Sequence, residues 1–247
     1  MPKSTSVIVG MGEIGNAFYE ILSEKCRVYG YDIIEGKRQG KSVEKCDILH
    51  ICLPHHEDFV NTVLKYHFNF RPQELIIHSS VKPGTTEELW RLLYSHTKIA
   101  YSPWRGVHSR MTEDMKRYTK YWASSLNMQV PLFLEQMKQC GIKTEEWQGM
   151  TSLELAKLWM DVVYYGWLII FAQHTKVLAD RFGVDEKKLW DFTDEIHRFL
   201  GNRPRMFSGE GIGGHCVMSD VDLLNDSFLD AVFSHDKGYR RNLKIGR

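Results

Sequence analysis

The sequence predicts an α/β chain: a parallel sheet with helices on both faces, followed by an all-α region built on one long helix. Three observations carry that prediction. Short β-branched runs alternate with helical stretches through the first 149 residues. A glycine-rich turn, Gly10-Met11-Gly12-Glu13-Ile14-Gly15, joins the first strand to the first helix. From Ser152 to about Gly183 the chain has no proline and a single interior glycine, Gly166, in a composition dominated by Leu, Ala, Met, Trp, Phe and Val. A first domain is therefore expected at 1–149 and a second at 150–247.

The 247 residues suffice for one large or two modest cores. Lys+Arg total 32 against 31 for Asp+Glu, and a net charge of +1 points to neither nucleic acid nor an acidic membrane surface. The cysteines Cys26, Cys46, Cys52, Cys140 and Cys216 are scattered without CxxC spacing. That pattern suits reduced thiols rather than a disulfide framework or a zinc site. Met-Pro-Lys-Ser-Thr leads straight into a strand, so no signal peptide is expected and the expected location is the cytoplasm.

Ser6–Val9 is the first strand, and the glycine turn follows it directly into the helical Asn16–Lys25. Strand, tight glycine turn and helix N-terminus form the Rossmann dinucleotide fingerprint. Gly10 permits the turn, Gly12 lets backbone approach a pyrophosphate, and Gly15 lets helix and strand pack closely. Glu13 and Ile14 complete the phosphate-binding turn, where free N–H groups and the helix dipole favour an anion. The second strand, Arg27–Tyr31, ends at Asp32, placed to bind a ribose 2′-hydroxyl and repel a 2′-phosphate. NAD is the expected cofactor, with Lys37 and Arg38 softening the preference over NADP.

Further strands are expected at Asp47–Leu53, Glu74–Ser80, Lys98–Ser102, Tyr121–Ala123 and Lys143–Trp147. Helices are expected at His56–Tyr66, Glu87–Ser95 and Val130–Cys140. Ligands of such a sheet gather at the carboxyl ends of its strands. Leu53, Pro54 and Ser80 are accordingly assigned to the cofactor, and Trp104 and Arg105 to the substrate. His55 and His56 have no third ligand at metal spacing, so no metal site is expected.

In the long helix, Lys157 and Asp161 stand four residues apart among apolar neighbours, where a charge must be paired or used. They leave Val162–Ala172 as the longest uninterrupted apolar run, eleven residues. A membrane span needs about twenty. Burial between two halves of a protein, or between two protomers through 152–181, is the expectation instead. A further helix is expected at Asp185–Leu200. After it, Gly209–Gly214 carries four glycines in six residues and delivers Cys216 near the start of another helix, Val217–Leu224. A thiol at a helix N-terminus and near a lysine has its pKa lowered and becomes reactive. The basic end of the chain, with Tyr239, Arg240, Arg241, Lys244 and Arg247, reads as a solvated tail.

Taken together, the motifs resemble the nucleotide-sugar 6-dehydrogenases, the UDP-glucose/GDP-mannose dehydrogenase family. The resemblance rests on Gly10–Gly15 with Asp32, on Ser79-Ser80-Val81-Lys82-Pro83-Gly84-Thr85-Thr86, and on Glu154-Leu155-Ala156-Lys157-Leu158. Arg205 and Gly211-Ile212-Gly213-Gly214-His215-Cys216 with Asp220 complete it. It implies that Cys216 is a nucleophile, holding an aldehyde first as a thiohemiacetal and then as a thioester, with two NAD consumed. It further implies catalytic roles for Lys157, Asp161, Asp220 and Ser80, substrate contacts from Arg205 and Gly213, and a homodimer built on the long helix. Three positions depart from the family pattern. Trp104 follows Pro103 where the family has Glu, Asp161 replaces Asn, and Ser219 stands where many members have Lys. The family continues into a C-terminal UDP-binding domain, so the chain resembles a truncated member. The expected activity is NAD-dependent oxidation of a sugar or other alcohol. The alternatives are a two-electron reductase of the β-hydroxyacid dehydrogenase type, without covalent catalysis, and a silent NAD-binding module.

Overall fold

The computed structural model describes residues 4–94, 97–125, 128–200 and 227–245. The chain divides into two compact units, Met1–Lys157 and Leu158–Arg247.

The first unit is a seven-stranded sheet in the order β2-β1-β3-β4-β5-β6-β7. Its strands are β1 (Thr5–Val9), β2 (Arg27–Tyr31), β3 (Ile48–Ile51), β4 (Glu74–Ile77), β5 (Lys98–Tyr101), β6 (Lys120–Ser124) and β7 (Thr144–Glu146). β1 to β5 are parallel, as the βα rhythm predicts. The strands β1, β3 and β4 are apolar runs apart from Thr5, Ser6, His50 and Glu74, because helices cover both faces. Period-two alternation sorts their side chains. Val9, Ile51, Ile77 and Tyr101 share one face with Phe59, Val63 and Leu89, from α2 (Phe59–Phe70) and α3 (Thr85–Leu93). Ile8, Ile48, Ile76 and Ala100 share the other with Phe18, Ile21 and Leu22 of α1 (Glu13–Ser23) and with Phe133 and Met137 of α5 (Pro131–Gln139).

One pairing departs from the parallel expectation: β6 runs antiparallel to β5. The segment between them makes no crossover helix over the sheet. It folds α4 (Met111–Arg117) against α1 instead, where Thr112 bonds Glu20, and returns in the opposite sense. β7 then pairs parallel with β6.

α6 runs unbroken from Met150 to Phe182. Regular α-helix was the expectation throughout, yet Trp159–Tyr164 is a π-helical segment. Such wider turns are rare and recur at functional sites. In the second unit, α7 (Glu186–Leu200) puts Trp190 edge-on to Phe171. The basic end of the chain is a helix, α8 (Ser227–Ile245), and not a solvated tail. Val232 and Tyr239 are buried; buried Asp236 accepts from Gln173 Nε2 at 2.8 Å and from Arg240 Nε at 2.7 Å. The charges mask a helical period in which 232, 236 and 239 line one face. The expected Gly209–Gly214 loop and Val217–Leu224 helix lie outside the described residues.

Candidate active site

Strand order reverses direction between β1 and β3, which opens a crevice at their carboxyl ends. The glycine turn fills the first side of it. Gly10 has φ +96°, and a Cβ there would stand 2.6 Å from Cys52 O. A Cβ on Gly15 would meet Gly10 O at 1.9 Å, so α1 can approach the turn only with glycine at that position. Gly12 differs from both. A Cβ on it would meet nothing within 4 Å, and the residue faces open space at the N-terminus of α1. Gly10 and Gly15 therefore serve the fold, whereas Gly12 leaves room that a pyrophosphate would use. The residues present fit a dinucleotide.

Asp32 closes the same edge. Its carboxylate accepts from Met11 N and from Ile34 N, each at 2.9 Å, tying the glycine turn to the end of β2. Arg38 donates through Nε to Asp32 O at 2.8 Å and lies 4.8 Å over the Tyr31 ring, so a cation flanks the acid as the sequence suggested. Glu13 is exposed and contacts His108. Leu53 is half-buried and Pro54 exposed at the end of β3, beside Gly10.

At the end of β4, Ser80 is half-buried and the turn to α3 follows. Here the fold explains why two distant motifs occur together. Buried Glu154, in the first turns of α6, accepts from Gly84 N (2.6 Å), Thr86 N (2.8 Å) and Thr86 Oγ1 (2.5 Å). It caps α3 from another helix and fixes the start of α6 on the ligand edge. Lys157, half-buried, follows one turn later. Burial pushes the Glu154 carboxyl up to about 7, against the pull of the Thr86 and Gly84 donors.

Trp104 stands where the family has its Glu, but its ring is buried against Phe18 (5.0 Å) and stacked on His78 (5.8 Å). Lys120 Nζ lies 3.7 Å from its centroid and donates to Ser102 O, with His78 Nδ1 3.2 Å away. From there a buried polar chain crosses the sheet. His78 Nε2 is 3.0 Å from His50 Nδ1, His50 Nε2 is 2.9 Å from Gln136 Oε1, and Gln136 Nε2 donates to Ser6 Oγ at 2.7 Å. Burial lowers His50 to about 3, holds His78 well below the ordinary histidine value, and holds Lys120 well below the ordinary lysine value. Cys52 opposes the Lys120 shift, while Lys157 and Arg105 add to it. An amine whose charged form burial disfavours thus sits behind Trp104, inside the electrostatic reach of Lys157. The sequence reading missed this cluster. Its signal was polar residues within or just beyond the apolar strands, as at Ser6, His50 and His78.

The edge therefore gathers Gly10, Gly12, Glu13, Ile14, Gly15, Asp32, Leu53, Pro54 and Ser80, with Lys157 approaching on α6. Asp161 is buried within the π segment. Arg105 is held by Thr119 O at 2.6 Å and lies 4.9 Å over Tyr121. Cys216, Asp220, Arg205 and Gly213 lie outside the described residues. No group of three metal-ligating side chains occurs among the described residues.

No protein-family model matches the chain. Over 159 residues it is 26% identical to UDP-N-acetyl-D-mannosamine dehydrogenase of Pyrococcus horikoshii, a match covering 61% of this chain and 37% of that protein. The aligned part thus spans little more than a third of that relative's length. In fold it is similar to a solved UDP-D-ManNAc dehydrogenase of the same organism (TM-score 0.79, 17% identity, 95% of this chain and 68% of the other). It is similar to a UDP-glucose dehydrogenase of Pyrobaculum islandicum (TM-score 0.72, 18% identity, 97% and 67%). A 3-hydroxyisobutyrate dehydrogenase of Mycobacterium tuberculosis, solved with L-serine, also matches (TM-score 0.67, 15% identity, 97% and 93%). In sequence over 159 residues, and in fold along nearly the whole chain, the protein is similar to the nucleotide-sugar dehydrogenases that its motifs resemble.

Proposed function

We propose that the chain is an NAD-dependent oxidoreductase that oxidises the CH–OH group of a sugar or sugar-nucleotide substrate. The observation that supports this best is the open face at Gly12, beside Asp32, at the switch point of the sheet. NAD, when bound there, accepts the hydride. The chain's own part is to seat the pyrophosphate on α1, to hold the ribose with Asp32, and to bring Lys157 to the edge through the Glu154 anchor. Cys216 and Asp220 are proposed to hold the oxidised carbon covalently and to organise charge around it. Trp104 supplies no general base for thioester hydrolysis, and such assistance contributes typically 10²–10⁴-fold. Mixing the protein with NAD and a panel of sugar nucleotides should therefore give a burst of NADH and an adduct on Cys216 visible by intact-mass spectrometry. Full activity in Cys216→Ser would refute the covalent route.

A second reading, a two-electron dehydrogenase of the β-hydroxyacid type, is favoured by the near-complete mutual coverage with the hydroxyisobutyrate enzyme. It needs Lys157 and no cysteine, and one NADH per turnover would support it.

A homodimer through 152–181 is proposed as well. Trp159, Tyr165, Trp167 and Phe171 are exposed along α6, and only a third of its most apolar window is buried. Burying those rings against a second copy is the gain that drives pairing. By length and composition the same helix could cross a membrane. The charges Lys157 and Asp161 and the eleven-residue apolar run favour a protein partner instead. Light scattering at micromolar concentration should give twice the chain mass; a monomer would exclude the dimer.

A further inference from the structure

Of the described cysteines, Cys46 is buried in the core, and burial pushes the Cys46 and Cys52 thiols up to about 12. Cys26 and Cys140 differ. Both are half-buried, as Cys52 also is, and both pack against the cluster that α1 and α5 share. Cys26 follows the end of α1, its N–H bonded to Leu22 O at 2.7 Å. Cys140 caps the end of α5, and its Sγ is 3.9 Å from Ile21 O. Their thiols are within hydrogen-bonding reach of each other.

We propose that Cys26 and Cys140 form a reversible disulfide under oxidative challenge, stapling the C-terminal end of α1 to that of α5. Cys140 Sγ stands beside the Ile21 carbonyl near the end of α1, and Cys26 follows that helix end directly, so closure starts from neighbouring side chains. With oxidised glutathione as the two-electron oxidant, one thiolate attacks the glutathione disulfide and releases one glutathione thiolate. The second cysteine then attacks the mixed disulfide and releases the other. The protein loses two protons and two electrons, and two glutathiones are formed. The staple closes the long loop of chain between Cys26 and Cys140, and so removes freedom chiefly from the unfolded chain. It lies at the far end of α1 from Gly12 and leaves the dinucleotide edge open. The thiol contact and burial hold the Cys140 thiol well above its ordinary value. Closure should accordingly be slow at pH 7 and faster toward pH 9.

The test is oxidation of the whole chain with oxidised glutathione, followed by intact-mass and peptide mapping without reduction. The expected result is a loss of two hydrogens per chain, a linked peptide pair containing Cys26 and Cys140, and reversal by dithiothreitol. Melting temperature should rise by roughly 5–10 °C on closure. Cys26→Ser and Cys140→Ser should each abolish both changes while keeping the unoxidised melting temperature. Stable glutathione adducts on either residue, a disulfide involving Cys216, or links between chains in place of the pair would overturn the proposal.

Discussion

Glu154→Ala should lower stability by about 2–4 kcal/mol, because it strands two backbone N–H groups and a hydroxyl in a buried place. In a chain of this size that corresponds to a fall in melting temperature of roughly 5–15 °C. The loss should also depend on pH, with a definite sign. The folded carboxyl titrates near 7, above the ordinary value of about 4.3 in an unfolded chain. The fold therefore holds this proton more tightly than the unfolded chain does. The corresponding stabilisation is complete below about pH 4.5 and lost as pH rises through about 7. The alanine variant lacks it, so the gap between the two proteins should narrow, by something on the order of 2–3 kcal/mol, from pH 5 to pH 8. Denaturant unfolding at both pH values measures this. A gap that widens instead would mean that the ionised carboxylate is the favoured cap, with the Gly84 and Thr86 donors outweighing burial.

The glycine turn makes a second large prediction, and two of its three glycines, Gly12 and Gly15, should part company. Gly15→Ala sets a methyl 1.9 Å from Gly10 O and should destabilise the fold by about 3 kcal/mol or more, as overpacking against backbone does. Gly12→Ala meets nothing within 4 Å, and Gly12 has φ −79°, which alanine adopts without strain. That variant should melt within about 2 °C of the parent. Its added methyl would nevertheless stand where the pyrophosphate approaches, so dinucleotide affinity should fall at least about tenfold. Thermal melts and NAD titration of the two variants check both halves. Unchanged NAD affinity in Gly12→Ala would remove the phosphate from that place.

What could be read from the sequence follows the range of the interactions involved. β1 to β5 and the glycine turn were legible because each is specified within about a dozen residues by alternation, apolar runs and glycine. Asp32 was legible for the same reason: a fixed distance from the turn and a place at a strand end. Glu154 was visible as part of a motif, but its role depends on Gly84 and Thr86, which only the fold brings to it. The same holds for the His50, His78 and Lys120 cluster, whose members lie in β3, just after β4 and at the start of β6. Trp104 was readable as a departure from a family pattern, not as a ring buried over an amine. The π segment escaped because spacing arguments on α6 assume 3.6 residues per turn throughout. α8 escaped because a count of charges hid the apolar period beneath them.

Binding of NAD at the edge formed by Gly12 and Asp32 is tested most directly by isothermal titration calorimetry of the whole chain, first with NAD and then with NADP. The expected result is one NAD per chain, with a Kd of roughly 1–100 μM and NADP weaker by about tenfold or more, a gap that Asp32→Ala narrows. No heat with either dinucleotide, or NADP bound as tightly as NAD, would contradict it.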